Sequence, residues 1–157
     1  MKLFKTAALI FAVTLSACTD PAHLGGGGID SQHDPRTPAY FQETIGDRIL
    51  FEVDQHTLTA EARSILADQA QWLMTNGEYT AIIEGHADEQ GTREYNLALG
   101  ARRANSVMEY LVSQGVASNR LRTVSYGKER PIEVCSEEAC YRQNRRAVTV
   151  VSAGTNS

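Results

Sequence analysis

The sequence predicts an α/β fold, an α+β two-layer sandwich in which helices pack on one mixed β-sheet. Between residues 46 and 152, strand-like and helix-like segments alternate in the order β-α-β-α-β-(α)-β. Such alternation is typical of helices that cover a sheet. A segment of about 105 residues is also large enough to enclose one hydrophobic core. We therefore expect a single domain at 46–152.

The first strand and the first helix of this domain are predicted from apolar periodicity. Residues 48–54 have apolar side chains at every second position from 49 to 53, as in a strand with one buried face. A helix is expected to begin after Thr59, a suitable N-cap, with Glu61 in its first turn, and to end at Asn76-Gly77. The apolar positions are Ile49, Phe51 and Val53 in the strand and Ala62, Ile65, Leu66, Ala70 and Leu73 in the helix.

A second strand, a loop and a second helix follow. Residues 79–85 are predicted to form the strand and residues 86–91 the loop, and the helix begins after Thr92 and ends at Gly115. Apolar positions spaced four and three residues apart predict the buried stripe of this helix. The stripe consists of Leu97, Ala101, Ala104, Met108 and Leu111.

Two more strands complete the predicted sheet. Residues 121–126 and 147–151 have the composition of short strands. Between them, Ser136 and Glu138 could open one short helical turn. Residues 153–157 are expected to form a tail.

The first 17 residues have the pattern of a secretory signal. Two lysines precede an apolar stretch of nine residues at 7–15, and small residues precede Cys18. Residues 15–18 (LSAC) resemble the bacterial lipobox, which implies cleavage before Cys18 and lipidation of its thiol. Ordinary cleavage after Ala17 would instead leave Cys18 as a free thiol.

Composition separates the segment after the signal from the domain and excludes some functions. Residues 18–45 are interpreted as the lipidated N-terminus and a flexible linker, because residues 19–38 are rich in Gly and Pro and poor in apolar side chains. Without the two lysines of residues 1–17, 13 of the 15 basic residues remain against 19 acidic ones, a net charge of −6. This balance argues against nucleic acid as a partner.

The segment with the most chemical information is the loop after the second strand, together with the helix that follows. Residues 84–96 read EGHADEQGTREYN and residues 99–105 read LGARRAN. Asp88 can bind an ammonium group, and the guanidinium of Arg103 can bind a carboxylate, which suits a zwitterionic ligand. Arg103 lies roughly 16 Å along the helix from its start. Periodicity alone does not bring it to Asp88, and an Asp88–Arg103 ion pair of purely structural role is the alternative.

These two motifs resemble the signature of the OmpA-like peptidoglycan-binding domain. Further matching segments occur in the same order at 46–51 (GDRILF), 124–131 (VSYGKERP) and 144–148 (NRRAV). With the lipobox and the linker, the whole chain resembles the peptidoglycan-associated lipoprotein family. The resemblance implies non-covalent binding to peptidoglycan at meso-diaminopimelate, without catalysis.

The resemblance also implies roles for particular residues. Asp88 would hold the ammonium group of diaminopimelate and Arg103 a carboxylate. Asp54 and Asn96 would add polar contacts, although Asp54 could merely cap its loop and Asn96 could be a helix-surface residue. The walls of the site would be lined, through side chain or backbone, by His86 and Ala87.

Val53, Arg145 and Arg146 are not assigned to the predicted site. The family often has an aromatic residue where this chain has Val53, immediately before Asp54. Arg145 and Arg146 are interpreted as flanking an edge strand and are left outside the site.

His86 and Asp88 do not indicate other chemistry. No third metal ligand accompanies them, and no Gly-x-Ser-x-Gly elbow or other nucleophile is evident nearby. We therefore predict no metal, no cofactor and no catalytic residue.

For location and partners, the resemblance implies the outer membrane, with acyl chains on Cys18 and the domain facing the periplasm. Thr19, rather than Asp, after the lipidated cysteine favours that membrane. The implied partners are peptidoglycan, TolB and other Tol proteins, in the Tol-Pal system that supports envelope integrity and constriction during cell division. The rival hypotheses are a wall-binding lipoprotein outside the Tol system and an envelope enzyme.

The remaining cysteines, Cys135 and Cys140, are close enough in sequence to form a bridge across one helical turn in the oxidising periplasm. Two free structural thiols are the alternative.

Overall fold

The computed structural model describes residues 34–154, so the predicted signal, Cys18 and most of the linker lie outside it. The described strands are β1 (Arg48–Leu50), β2 (Tyr79–His86), β3 (Leu121–Gly127) and β4 (Arg146–Ala153). The helices are α1 (Pro38–Tyr40), which continues as a π-helical segment (Phe41–Gly46), α2 (Ala60–Thr75), α3 (Arg93–Ser113) and α4 (Glu138–Asn144), with a 3₁₀ turn at Ser118–Arg120. None of the helices in this part of the chain has the length and apolar character needed to cross a membrane.

The strands form one mixed sheet in the order β1-β4-β2-β3. β2 is parallel to β3, and β4 is antiparallel to both β1 and β2. The C-terminal ends of β1, β2 and β3 and the N-terminal end of β4 therefore lie along the same edge of the sheet. The predicted α/β arrangement is confirmed.

The hydrophobic core lies between α2, α3 and one face of the sheet. On the other face, Ile82 and Val150 are exposed, as expected for a two-layer sandwich. Gln69 on α2 reaches across the core, where its side-chain oxygen accepts a hydrogen bond of 2.8 Å from the hydroxyl of Thr149. The largest fully buried apolar side chains are Phe41, Leu66, Leu73, Ile83, Val107 and Leu111.

Both predicted N-caps are confirmed. The Thr59 hydroxyl accepts a hydrogen bond from the backbone N–H of Ala62, and the Thr92 hydroxyl accepts one from the N–H of Tyr95, each at 3.1 Å. A threonine oxygen thus satisfies an N–H group that has no partner within its helix.

The predicted buried stripe of α3 is only partly correct. Ala104 and Leu111 are buried, but Leu97 is 49% exposed. The reason is a close approach of α3 to β2 at two glycines, where a methyl group on Gly85 would overlap the carbonyl of Gly100. The face that contains Gly100 is therefore turned inward. The buried positions of α3 are Asn96, Leu99, Gly100, Arg103, Ala104, Val107 and Leu111.

The first strand is shorter than predicted. β1 ends at Leu50, so Val53 and Asp54 lie in the loop that follows rather than in a strand. Ile49 and Phe51 are buried as expected, whereas Val53 is exposed. Asp54 has a φ of +55°, a left-handed conformation that interrupts the extended backbone.

The end of the predicted linker also differs from the prediction, because residues 38–46 are helical and pack on the domain instead of forming a flexible segment. Phe41 is buried with its ring centroid 4.9 Å from that of Trp72. The indole N–H of Trp72 donates a hydrogen bond of 2.6 Å to the carbonyl of Pro35. The ordered unit thus begins before residue 46, with Phe41 buried and Tyr40 and Ile45 packed against the core.

The last helix and the last strand are longer than predicted. α4 has two turns instead of one, and β4 begins at Arg146 and ends at Ala153. A disulfide joins Cys135 to Cys140, with 5.9 Å between their Cα atoms. The predicted bridge is confirmed, and it closes the segment that leads into α4.

Candidate functional site

A group of charged side chains lies at the edge of the sheet where β1, β2 and β3 end and β4 begins. We call it the acid–arginine cluster and define it as Asp54, Asp88, Arg103, Glu138 and Arg145. These residues come from the loops after β1 and β2, from α3 and α4, and from the position before β4.

Asp88 follows β2 in a loop that hydrogen bonds hold on both sides. The N–H of Ala87 donates to the carbonyl of Gly127 at 2.8 Å. One oxygen of the Asp88 carboxylate accepts a hydrogen bond of 3.1 Å from the N–H of Gln90, and the other lies 3.3 Å from Nη1 of Arg145. The side chain is 10% exposed. Asp88 is therefore fixed in place, with a small part of its surface open to a ligand.

The direct ionic partner of Asp88 is Arg145, which the sequence prediction left outside the site. The guanidinium of Arg145 donates to the carbonyl of Phe51 at 3.1 Å and forks onto both carboxylate oxygens of Glu138. Burial opposes the charge on Arg145, but the hydrogen bonds to Glu138 and Asp88 outweigh it and raise its pKa. Arg145 thus remains charged and binds two acids, Glu138 more closely than Asp88.

Arg103 is fully buried, and it binds backbone rather than Asp88. Its Nε donates to the carbonyl of Gln55 at 2.8 Å, and its two Nη atoms donate to the carbonyls of His86 at 2.8 Å and Glu52 at 3.2 Å. Three of the five donors of the guanidinium thus join the loop after β1 to the end of β2. This role as a backbone clamp was not among the predictions for Arg103, which were binding of a ligand carboxylate or a structural ion pair with Asp88.

The charge of Arg103 couples it to the rest of the cluster. Burial lowers the pKa of Arg103 to about 10, and the charge of Arg145 acts in the same direction. The carboxylates of Asp88 and Asp54 oppose this shift, so both lie within electrostatic range of the guanidinium. Asp54, Asp88 and Arg103 therefore interact electrostatically, and their joint contact with a ligand stays a prediction.

Asp54 lies at the exposed rim of the cluster. Its carboxylate accepts a hydrogen bond of 3.3 Å from the hydroxyl of Tyr95, which is on the first turn of α3. Val53 is exposed next to it, so an aliphatic side chain stands at the rim. Tyr95 is itself exposed, so its hydroxyl meets Asp54 at the surface.

Asn96 is buried and is not a helix-surface residue. Its side-chain N–H donates a hydrogen bond of 2.7 Å to the carbonyl of Gln90. Gly91 follows with a φ of +91°, which only glycine adopts without strain. Asn96 thus shapes the loop that carries Asp88, and its direct contact with a ligand stays a prediction.

The backbone carbonyl of His86 belongs to the site as an acceptor for Arg103. The His86 ring is 2% exposed and packs away from the site. The ring centroid lies 5.6 Å from that of Tyr126, and Nε2 lies 3.7 Å from the carboxylate of Glu84. Burial, together with the charges of Arg146 and Arg130, lowers the pKa of His86 to about 4. The ring is therefore neutral at pH 7. In residues 34–154, no three His, Cys, Asp or Glu side chains are grouped as a metal site would require.

The sequence and the fold match one class of proteins. A model described as the OmpA family matches residues 50–147, and the chain belongs to that family. More particularly, it is similar to proteins named peptidoglycan-associated lipoprotein. The relatives from Mesorhizobium japonicum and Rhizobium meliloti are each 49% identical over 151 residues, which cover 92% of this chain and 89% and 85% of theirs.

Solved structures agree with this assignment. The crystal structure of the peptidoglycan-associated lipoprotein from Burkholderia pseudomallei is 35% identical, with a TM-score of 0.69, and covers 78% of this chain and 100% of its own. The C-terminal domain of Helicobacter pylori MotB, at 23% identity and a TM-score of 0.64, covers 70% of this chain and 87% of its own and shares the fold.

Sequence reasoning missed Arg145 and Glu138. For Arg145, the available signal was its position in the sequence. Arg145 directly precedes β4, which runs antiparallel to the other strands, so it lies at the edge of the sheet where β2 ends. Glu138 had no comparable signal, since its place depends on the path of the loop before α4.

Proposed function

We propose that this protein is an outer-membrane lipoprotein that binds peptidoglycan non-covalently through meso-diaminopimelate of the stem peptide. The observation that carries the proposal is the partly exposed carboxylate of Asp88 beside two buried arginines. The name of the relatives, which match 92% of the chain, supports the same function.

The chemistry of the cluster suits a ligand with an ammonium and a carboxylate on one carbon. The Asp88 carboxylate would accept hydrogen bonds from the ammonium group, and the guanidinium donors of Arg103 that are not bound to backbone would face the carboxylate. Asp54, at the rim, would add an acceptor. The mechanism is binding rather than catalysis, and many weakly bound copies would together hold the membrane to the wall.

The anchor and the partners complete the proposal. Acyl chains on Cys18 would hold the protein in the outer membrane, since more than one chain is needed for stable insertion. TolB and other Tol proteins would be its periplasmic partners during constriction at cell division. The resemblance stated from the sequence supports this part.

Co-sedimentation with purified sacculi tests the binding site. The full-length protein in mild detergent should pellet with sacculi, and Asp88→Asn should reduce binding at least about tenfold, because a charged hydrogen bond contributes roughly 1.5–3 kcal/mol. Glu109→Gln, the same kind of change at an exposed position of α3, is the matched control. Soluble stem peptides with diaminopimelate should compete, and peptides with lysine in its place should compete less. Equal binding by Asp88→Asn and wild type would contradict the assigned site.

Two further measurements test the anchor and the partners. Radioactive palmitate should label the wild type and not Cys18→Ala, and equal labelling of both would overturn the anchor. Crosslinking in cells should recover TolB. Recovery of peptidoglycan without TolB would place the protein outside the Tol system, and release of soluble fragments from sacculi would indicate an enzyme.

A further inference from the structure

We propose that the segment closed by the Cys135–Cys140 disulfide is a positioning element of the binding site, an inference that depends on the proposed function. The segment follows β3 and includes the first three residues of α4, outside the motifs that define the site in the sequence. It contacts the site at two separate points, Arg145 and Glu89.

The first contact runs through Glu138, which lies within the disulfide-closed ring. The Glu138 carboxylate accepts two hydrogen bonds from the guanidinium of Arg145, whereas Asp88 accepts one of 3.3 Å from the same group. Hydrogen bonding to Arg145 lowers the pKa of Glu138, so it is ionised at neutral pH. Glu138 therefore fixes the position of Arg145 and draws its charge away from Asp88, whose carboxylate stays available to an ammonium group.

The second contact runs through Glu89, the residue after Asp88. One oxygen of the Glu89 carboxylate accepts hydrogen bonds from the hydroxyls of Ser136, at 3.3 Å, and Tyr141, at 3.0 Å. Ser136 is inside the ring, and Tyr141 directly follows Cys140. The disulfide thus joins the two residues that hold Glu89, and through it the loop that carries Asp88.

The surroundings of the segment explain why a covalent closure is needed. Val134 is 85% exposed, and residues 136–139 are also exposed, so apolar packing holds this part of the chain weakly. A helix as short as α4 is marginal by itself. The side chain of Asn144 binds the backbone of Ile132 and Glu133, which precede the ring, but these hydrogen bonds do not reach the ring itself. With the disulfide opened, Ser136 and Glu138 would lose their fixed positions.

Opening the disulfide should therefore weaken binding more than it weakens folding. We expect Cys135→Ser/Cys140→Ser to lower sacculus affinity about fivefold, within the usual range of coupling between neighbouring groups. Dithiothreitol, a dithiol that reduces the disulfide to two thiols and is itself oxidised to a cyclic disulfide, should lower the affinity of the wild type equally. It should not affect the double variant. The thermal unfolding midpoint should change by only a few degrees, because the closed loop is small.

A double-mutant cycle separates positioning from general loosening. Glu138→Gln and Glu89→Gln should each weaken binding about threefold with the disulfide intact and have little further effect in the Cys135→Ser/Cys140→Ser background. Glu137→Gln, an exposed acid in the same ring with no side-chain cap bond, is the matched control and should bind normally. Fully additive effects, or normal binding by the disulfide variant, would overturn the proposal.

The outcomes distinguish this inference from the proposed function. If the wild type does not bind sacculi, the proposed function fails. If the wild type binds, Asp88→Asn does not, and the disulfide variant binds like the wild type, only the positioning role fails.

Discussion

The apolar layer and the acid–arginine cluster of this domain are built in different ways. In the apolar layer, α2 and α3 each contribute a stripe of side chains that recur at helical spacing, and the sheet contributes alternate residues. In the cluster, each charged residue comes from a different segment, and every one depends on long-range contacts for its place. The layer includes Leu66, Leu73, Ile83, Val107 and Leu111.

This difference separates the region that stabilises the fold from the region to which we assign the proposed binding. Apolar burial stabilises the fold regardless of which aliphatic residue is used, within limits of volume. Buried ion pairs contribute little net stability because each charge loses its hydration. The charges at the sheet edge thus add little to the stability of the fold, which is consistent with the proposed binding role, except for Arg103, which also joins the loop after β1 to the end of β2.

The largest effect on stability should come from replacing Arg103. Arg103→Leu would leave three backbone carbonyls without their donor and would remove one of the two buried arginines of the cluster. We expect a loss of about 4 kcal/mol in the free energy of unfolding, measured by urea denaturation. Arg102→Leu changes the exposed neighbour on the same helix and should cost less than about 0.5 kcal/mol. Similar stabilities of the two variants would show that Arg103 is not a clamp.

A cavity in the apolar layer should affect stability without affecting the site. Leu111→Ala removes a fully buried side chain and should lower the free energy of unfolding by about 3 kcal/mol, whereas Val112→Ala, at an exposed position, should change it little. At a temperature where Leu111→Ala is folded, its affinity for sacculi should equal that of the wild type. A marked loss of affinity would mean that the two regions are not independent.

His86 should make stability depend on pH above the range in which carboxylates titrate. The pKa of His86 is about 4 in the folded protein, against 6.5 for an unperturbed histidine, so the unfolded chain binds a proton first as the pH falls. This contribution is fully present above pH 6.5 and decreases toward pH 4, with a loss of about 2 kcal/mol at pH 5. His86→Gln should flatten the curve of unfolding free energy between pH 7 and pH 5. An unchanged slope would refute the assignment.

The smallest effect concerns the exposed rim of the cluster. Tyr95→Phe removes the hydroxyl that binds Asp54 and should change the free energy of unfolding by less than about 0.5 kcal/mol, because both groups are exposed. If Asp54 contacts the ligand, sacculus affinity should fall about two- to threefold, equivalent to roughly half a kcal/mol. Normal affinity in Tyr95→Phe, together with normal affinity in Asp54→Asn, would remove the rim from the site.

Most of the fold could be predicted from local patterns. Thr59 and Thr92 mark the starts of their helices because their hydroxyls act on N–H groups three residues away. The errors occur where distant residues intervene. The close approach of β2 and α3 at Gly85 and Gly100 determines which face of α3 is buried. The contact between the rings of Trp72 and Phe41 holds residues 38–46 against the domain.

The sequence by itself determined the order of the elements, the helix caps, the family and most of the residues gathered at the sheet edge, because each depends on neighbouring residues or on a short motif. Only the tertiary structure decided which charges meet. In the folded chain Asp88 pairs with Arg145, and Arg103 donates hydrogen bonds to three backbone carbonyls. The disulfide-closed segment contacts the site through Glu89 and Glu138. The physical reason is that an ion pair between distant segments depends on the paths of both loops, which no local periodicity encodes.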